Sequence, residues 1–397
     1  MPPRRTALRA LLANETGGGR GHLLAMASVA TALADRYAFD AAVHQPWAGQ
    51  VLASLCDSVF RCNRLVCTLS SPDLPPEARA ATWGDTFSGA LRHREFLTSQ
   101  VKWWQDVIFA RRTDLVIADN APCALLAARS LGVPSVAMGL PMTVPPPGLE
   151  SYPLLFPEQR PTPVFDEAET VAQVNATLAP HGLLPLERLT DIHAVAVHLV
   201  RGLSVLDPYA TCRRTPFVPP LPHLPPVSDG FGEEVFVYFS TREHREQDIV
   251  EALERLDLPA RLYLPAFDPE QRARIRSTAR HIVDAPVSPA EIVGRARMIL
   301  CAAQSGTVSL ALLAGLPVVA LPVDLEKSVT ARAAEATGTC RVLWPATRDA
   351  DAILQAVRAC HDDTAAGRRA RSLAPRFRAE AAEEAHGAIR RLMAPVL

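Results

Sequence analysis

Residues 7–35 read ALRALLANETGGGRGHLLAMASVATALAD, and the order of three segments within them decides the architecture. The apolar run over 7–13 reads as a buried strand. The glycine-rich stretch 17–21 lets the backbone turn sharply and leaves amides open at the start of the element that follows. From about 22 to 35, Leu23, Met26, Ala27, Ala30 and Leu33 recur at helical spacing. Strand, turn and helix together make a βα unit, and such units in series build a parallel sheet.

The same pattern returns along the chain. A strand over 115–118 closes on Asp119 and Asn120. A helix over 121–131 follows, stopped by Gly132, and then a strand over 134–137. Residues 213–230 carry prolines at 216, 219, 220, 222, 225 and 226 without apolar periodicity. Proline has no amide hydrogen for a regular ladder, so 216–230 is predicted as a stiff linker. It would join a first domain over 1–215 to a second over 231–397. In the second, strands are expected at 235–239, 260–264, 297–301 and 317–321, with one closing helical segment over 366–394. A chain of 397 residues exceeds what one core organises. In open α/β sheets, ligands bind at the carboxyl ends of the strands.

Bulk composition narrows the classes. Hydrophobic residues are 48% and charged residues 21%, with a formal charge of −1. Nothing in that balance favours nucleic acid or an anionic surface, and 6% aromatics is poor material for base stacking. The eight cysteines include no CxxC pair and no Cys/His group with zinc-ligand spacing, which fits reduced thiols in a cytoplasmic protein. The first apolar run is too short for a secretory signal, and no stretch approaches the roughly 20 residues of a membrane span. A peripheral membrane contact stays open.

Four motifs carry chemistry, each with a plainer reading beside it. Gly17-Gly18-Gly19-Arg20-Gly21-His22 does not have the GxGxxG spacing of a dinucleotide site. It sets a titratable imidazole at a strand-end turn, or else a helix cap. Asp119 ends a strand where it could align that imidazole, or else it makes an Asx turn or caps the next helix. Gln304-Ser305-Gly306-Thr307 opens a helix with small residues, which suits an anion or an ordinary N-cap. Glu326-Lys327, just past an apolar strand, suits sugar hydroxyls or a solvated charge pair. A fifth feature is Trp83, Phe87, Phe96, Trp103 and Trp104. They read first as packing residues of one long helix and second as the lining of an apolar pocket.

Taken together, the glycine turn ending in His22, the strand ending in Asp119 and the run 302–331 resemble the GT-B glycosyltransferases. The likeness is to the UDP-glycosyltransferase superfamily and the MurG-like GlcNAc transferases. It spans most of the chain and is strongest at 7–35, 111–141 and 285–345. It implies an α/β fold of two Rossmann-like domains facing across a cleft, the last helix returning to the first domain. It also implies an inverting, metal-independent hexosyl transfer from a UDP- or dTDP-sugar to a hydroxyl of a small-molecule, lipid or natural-product acceptor. The nucleotide sugar is then a co-substrate, and no cofactor is needed.

Residue by residue, the resemblance makes His22 the general base and Asp119 its partner, with Gly18, Gly19 and Gly21 in the acceptor-side loop. Ser240 and Thr241 match a donor-phosphate position, and Ser305, Gly306 and Thr307 a diphosphate-binding helix start. Val287 falls where backbone meets the nucleobase, and Glu326 and Lys327 where an acidic-Gln pair reads the donor sugar. Three departures bear on the donor: Ala302 in place of a phosphate-contacting histidine, Leu310 in place of a ribose-binding glutamate, and Lys327 in place of glutamine. A nucleotide-sugar 2-epimerase is an alternative because it shares the fold, and the departures at Ala302 and Leu310 keep open a catalytically silent partner protein.

Overall fold

The computed structural model describes residues 8–17, 20–45, 50–65 and 79–397. The chain divides into two compact units. The first holds Met1–Arg201, Tyr209–Val218 and Ala385–Leu397; the second holds Gly202–Pro208 and Pro219–Glu384.

Among the described residues, the first unit is built on seven strands. They are β1 (Leu8–Asn14), β2 (Tyr37–Val43), β3 (Ser58–Arg61), β4 (Leu115–Asp119), β5 (Ser135–Gly139), β6 (Val197–Arg201) and β7 (Phe217–Val218). Their order is β3-β2-β1-β4-β5-β6-β7, with parallel pairing throughout. β4 is buried along its whole length, which is why it reads as an unbroken apolar run rather than an alternating one. The helix Arg20–Ala32 sets Leu23, Met26, Ala27 and Ala30 into a core shared with Leu12, Ile117 and Met138.

The second unit repeats the plan with β8 (Glu234–Tyr238), β9 (Ala260–Tyr263), β10 (Arg280–Val283), β11 (Ala296–Cys301), β12 (Val318–Ala320) and β13 (Cys340–Val342). The order is β10-β9-β8-β11-β12-β13, again parallel. In each sheet the strand order reverses once at the centre, between β1 and β4 and between β8 and β11. A crevice outside the strand ends forms at such a reversal, so the loops after these four strands are the chemically privileged ones.

Three expectations about the chain's organisation are corrected. The proline stretch is not a free linker: Phe217–Val218 pairs with Val200 and Arg201 as an edge strand, where proline neighbours are tolerated. From Pro219 the chain packs into the second unit, with Ser228 N donating to Ala314 O at 2.8 Å and Arg378 donating to Pro225 O. Residues 202–208 also leave the first domain, because Leu203 and Leu206 bury in the second unit's core. The closing segment is two helices, Thr364–Glu380 and Ala385–Met393. No proline or glycine stands between them. They part because Phe377 and Ala381 bury in one core while Ala385, Ile389 and Met393 bury in the other. Among the described residues, no helix is long and apolar enough to cross a membrane.

Candidate functional site

At the reversal in the first sheet, β1 ends at Asn14 and β4 at Asp119. His22 stands in the first turn of the helix that follows β1, and its Nδ1 lies 2.8 Å from Asp119 Oδ2. The Asp119 side chain is 1% exposed and that of His22 16%. Asp119 does not do the capping its sequence position suggested. The helix Pro122–Leu131 has Ala121 at its N-cap with no side-chain bond, and Asp119 contributes nothing to it. Asn120, in the left-handed region at φ 49°, turns the chain out of the strand so that Asp119 points back toward β1.

An ionised carboxylate only accepts, so Nδ1 carries the proton in this pair and Nε2 keeps a lone pair for another proton. Asp119 Oδ1 is buried without a hydrogen-bond partner among the described residues. A Cβ at Gly139 would come within 3.2 Å of that oxygen and 2.5 Å of Thr143 Oγ1, so a glycine keeps the space beside the carboxylate clear. Arg201, at the end of β6, feels the same carboxylate. Burial lowers its pKa, and the charge of Asp119 opposes that shift.

Two residues that the sequence reading used only to end an apolar run hold the site together. Asn14 Nδ2 donates to Asp119 O at 3.1 Å, and Asn14 Oδ1 accepts from Gly17 N at 3.0 Å. Glu15, fully buried, accepts from Cys123 N at 3.2 Å and Ala124 N at 2.8 Å. Burial pushes its carboxyl up from 4.5 to about 8, against the pull of those two amides. A polar pair directly after a buried strand was the signal available. Gly18 and Gly19 lie outside the described residues. Gly21 belongs to the helix rather than to a loop, with open space where a Cβ would stand.

The aromatic segment is two helices, Asp85–Leu91 and Arg94–Ala110, separated where His93 Nδ1 caps the second by accepting from Phe96 N. Trp104 is core. Trp83 and Phe87, edge to face at 5.8 Å, border a chamber of about 10 Å³ with Asn120, Ala121, Thr143 and His193, beside the end of β4. That is room for one water-sized group. Burial drives His193 down to about 3, with His198 adding to it, so the ring is neutral; Tyr152 OH lies 2.9 Å from its Nδ1. Asp85 anchors this wall, its two oxygens accepting from the amides of Ala81, Thr82, Val164 and Phe165.

At the reversal in the second sheet, the helix Ser305–Ala314 starts at the end of β11 with Gln304 as N-cap and no side-chain bond. Neither Ser305 nor Thr307 caps it. Ser305 and Gly306 take the first two positions, where helix amides have no intrahelical acceptor, and Gly306 is exposed with open space at its Cβ direction. Ala303, at φ 65°, makes the turn that Asn120 makes in the other unit. Ser240 and Thr241 follow β8, and half-buried Val287 packs on the edge of the core below.

Lys327 is not placed as one half of a sugar-facing pair. It is 6% exposed, and its ammonium donates to Thr241 Oγ1 at 2.9 Å and to Asp324, with Glu243 Oε1 at 3.7 Å. Thr241 in turn donates its amide and hydroxyl to fully buried Glu243, at 2.7 and 3.1 Å. A buried ammonium needs this many partners to offset its lost hydration. Glu326 is half-buried in the first turn of the helix Leu325–Glu335, which Asp324 caps through Lys327 N at 3.0 Å. Arg348 holds the same loop, donating to Pro322 O at 2.9 Å. Among the described residues, no group of three His, Cys, Asp or Glu is placed to hold a metal ion.

No protein-family model matches the chain, and no curated protein matches it in sequence. Solved structures match it in fold along its whole length. The calicheamicin glycosyltransferase CalG4 is 17% identical, with a TM-score of 0.70 over 98% of this chain and 99% of its own. The fold is GT-B. The glycosyltransferase VinC in complex with dTDP is 19% identical, at a TM-score of 0.65 over 97% and 99%. Within the same GT-B set, the spinosyn rhamnosyltransferase SpnG, complexed with spinosyn aglycone, is 16% identical at 0.65 over 97% and 100%.

Proposed function

We propose that this GT-B chain is a glycosyltransferase. It moves a hexose from a UDP- or dTDP-sugar to a hydroxyl of a small-molecule, lipid or natural-product acceptor, with inversion and without a metal. The observation that carries the reading is the 2.8 Å contact of His22 Nδ1 with Asp119 Oδ2 at a topological reversal. The names of the structural neighbours support it, one bound to dTDP and one to an aglycone.

In this reading the acceptor hydroxyl gives its proton to His22 Nε2 while its oxygen forms the new bond to the anomeric carbon. The bond from that carbon to the diphosphate breaks, and the electron pair leaves with the nucleoside diphosphate. Asp119 stabilises the imidazolium as it forms. The amides of Ser305 and Gly306 and the hydroxyls of Thr307 and Ser240 meet the charge on the leaving diphosphate, with the helix dipole behind them.

Two measurements test this. Saturating dTDP or UDP should raise the unfolding midpoint, as binding to the native state requires; no rise with either nucleotide refutes donor binding. His22→Ala should lower turnover by about 10²–10⁴ with folding and nucleotide binding kept. Wild-type turnover in that variant rejects the base.

A further inference from the structure

The proposed chemistry makes no use of Glu15, yet among the described residues no other carboxylate in the first unit binds two amides at the start of the helix that follows Asp119. Its oxygens take the Cys123 and Ala124 amides, the second and third of the helix Pro122–Leu131, which has no cap of its own. A serine or aspartate at position 121 would cap this helix locally, without burying a carboxyl group drawn from another strand. Local capping would hold the helix alone. A carboxyl group from the end of β1 also holds the chain that leads, through Gly17, to His22. The Glu15 carbonyl is pinned as well, accepting from Leu65 N at 2.8 Å. Beside it Asn14 joins the two strand ends directly, through its bonds to Asp119 O and Gly17 N. Residues 14–15 thus clamp the segment carrying His22 to the segment carrying Asp119 at both ends of the Asp119 turn.

We propose that Glu15 is a positioning residue for the His22–Asp119 pair, acting by locking the helix start that follows Asp119 to the strand end that precedes His22. This rests on the reading of His22 as the base. Loss of one of the two amide bonds lets the turn at Asn120 and Ala121 shift relative to β1. A shift of about an ångström there misaligns the Nδ1–H with Oδ2, and misplacement of that order costs about 10²-fold in rate.

The test uses the full chain and Glu15→Gln, which keeps the shape but sets an NH₂ donor against one amide donor. The readouts are proton NMR of the His22 Nδ1–H and steady-state kinetics, with urea unfolding in parallel. The expected result is solvent exchange of the His22 Nδ1–H at least about tenfold faster, kcat lower by about 10–10², and dTDP affinity within about twofold. Glu15→Asp, too short by one methylene to span both amides, should show the same pattern if the glutamine variant does not fold. An unchanged Nδ1–H signal and unchanged kcat, with only stability lost, reduce Glu15 to a helix cap and overturn the proposal. The NMR readout needs no turnover, so it stands apart from the glycosyl-transfer reading. If His22→Ala is fully active while Glu15→Gln still frees the Nδ1–H, the positioning holds and the base assignment falls.

Discussion

Replacing Asp119 by Asn should damage the chemistry more than removing the side chain altogether. The reason lies in the two oxygens. Oδ2 accepts from His22 at 2.8 Å, while Oδ1 is buried with no partner among the described residues. The side-chain amide of the Asp119→Asn variant can take two orientations. With its oxygen toward His22, its NH₂ takes the buried place of Oδ1, where a donor left without an acceptor costs about 1–3 kcal/mol. With its NH₂ toward His22, its oxygen takes the place of an atom that had no partner already, and nothing further is lost. The second orientation wins. The amide then donates to Nδ1, the ring proton moves to Nε2, and the nitrogen that takes the acceptor's proton in the proposed reaction is blocked.

Losing the carboxylate's bond to an imidazolium costs about 1.5–3 kcal/mol, or about 10–10² in rate, and Asp119→Ala should show that much. Asp119→Asn adds the tautomer penalty and should reach about 10³–10⁴. The assay is kcat with a fixed acceptor and saturating nucleotide sugar, with calorimetry on the bare nucleotide to show an intact donor site. Turnover of the Asp119→Asn variant equal to or above that of Asp119→Ala would refute the tautomer argument. Both variants at wild-type turnover would remove the pair from the chemistry.

Other perturbations follow from particular contacts. On the sugar-reading role that the resemblance implies for it, Glu326→Ala should cost affinity for the sugar nucleotide and spare the bare diphosphate, because a carboxylate accepts from sugar hydroxyls; equal losses by calorimetry would assign it a structural role. Asp85→Asn turns one oxygen that receives two amides into a donor facing them. It should lower stability by about 2–4 kcal/mol in urea, with the wall carrying Trp83 and Phe87 loosened; a loss under about 0.5 kcal/mol would contradict the geometry. Glu15 binds a proton in the folded protein up to pH of about 8, whereas the unfolded chain releases it near 4.5. Its contribution is therefore fully present below pH 4.5 and is lost as pH rises toward 8, at up to about 1.4 kcal/mol per unit. Unfolding curves at about pH 5 and about pH 8 should show that slope in the wild type and not in Glu15→Gln. Parallel pH slopes would mean the carboxyl is ionised throughout.

Much of the fold was legible because its signals are local. Buried parallel strands are short apolar runs, helices repeat every three or four residues, and glycine or Asp-Asn marks the turns, so β1, β4, β8, β9, β11 and β12 stand in the sequence within a residue or two of their places. His22 and Asp119 were legible as separate residues for the same reason: each follows its strand. What no window of sequence contains is which strands become neighbours. The pairing of β1 with β4 sets His22 and Asp119, 97 positions apart, at 2.8 Å, and brings Glu15 onto a helix 108 positions away. The same limit explains the errors. Residues 202–208 and the proline stretch carry ordinary local signals, and their allegiance was decided by which core had room for Leu203 and Leu206. Lys327 was misplaced because a lysine after a strand looks solvated in sequence. Asp324 is local to it, but only the packed second unit supplies Thr241 and Glu243, and burial of a charge depends on such partners brought from far along the chain.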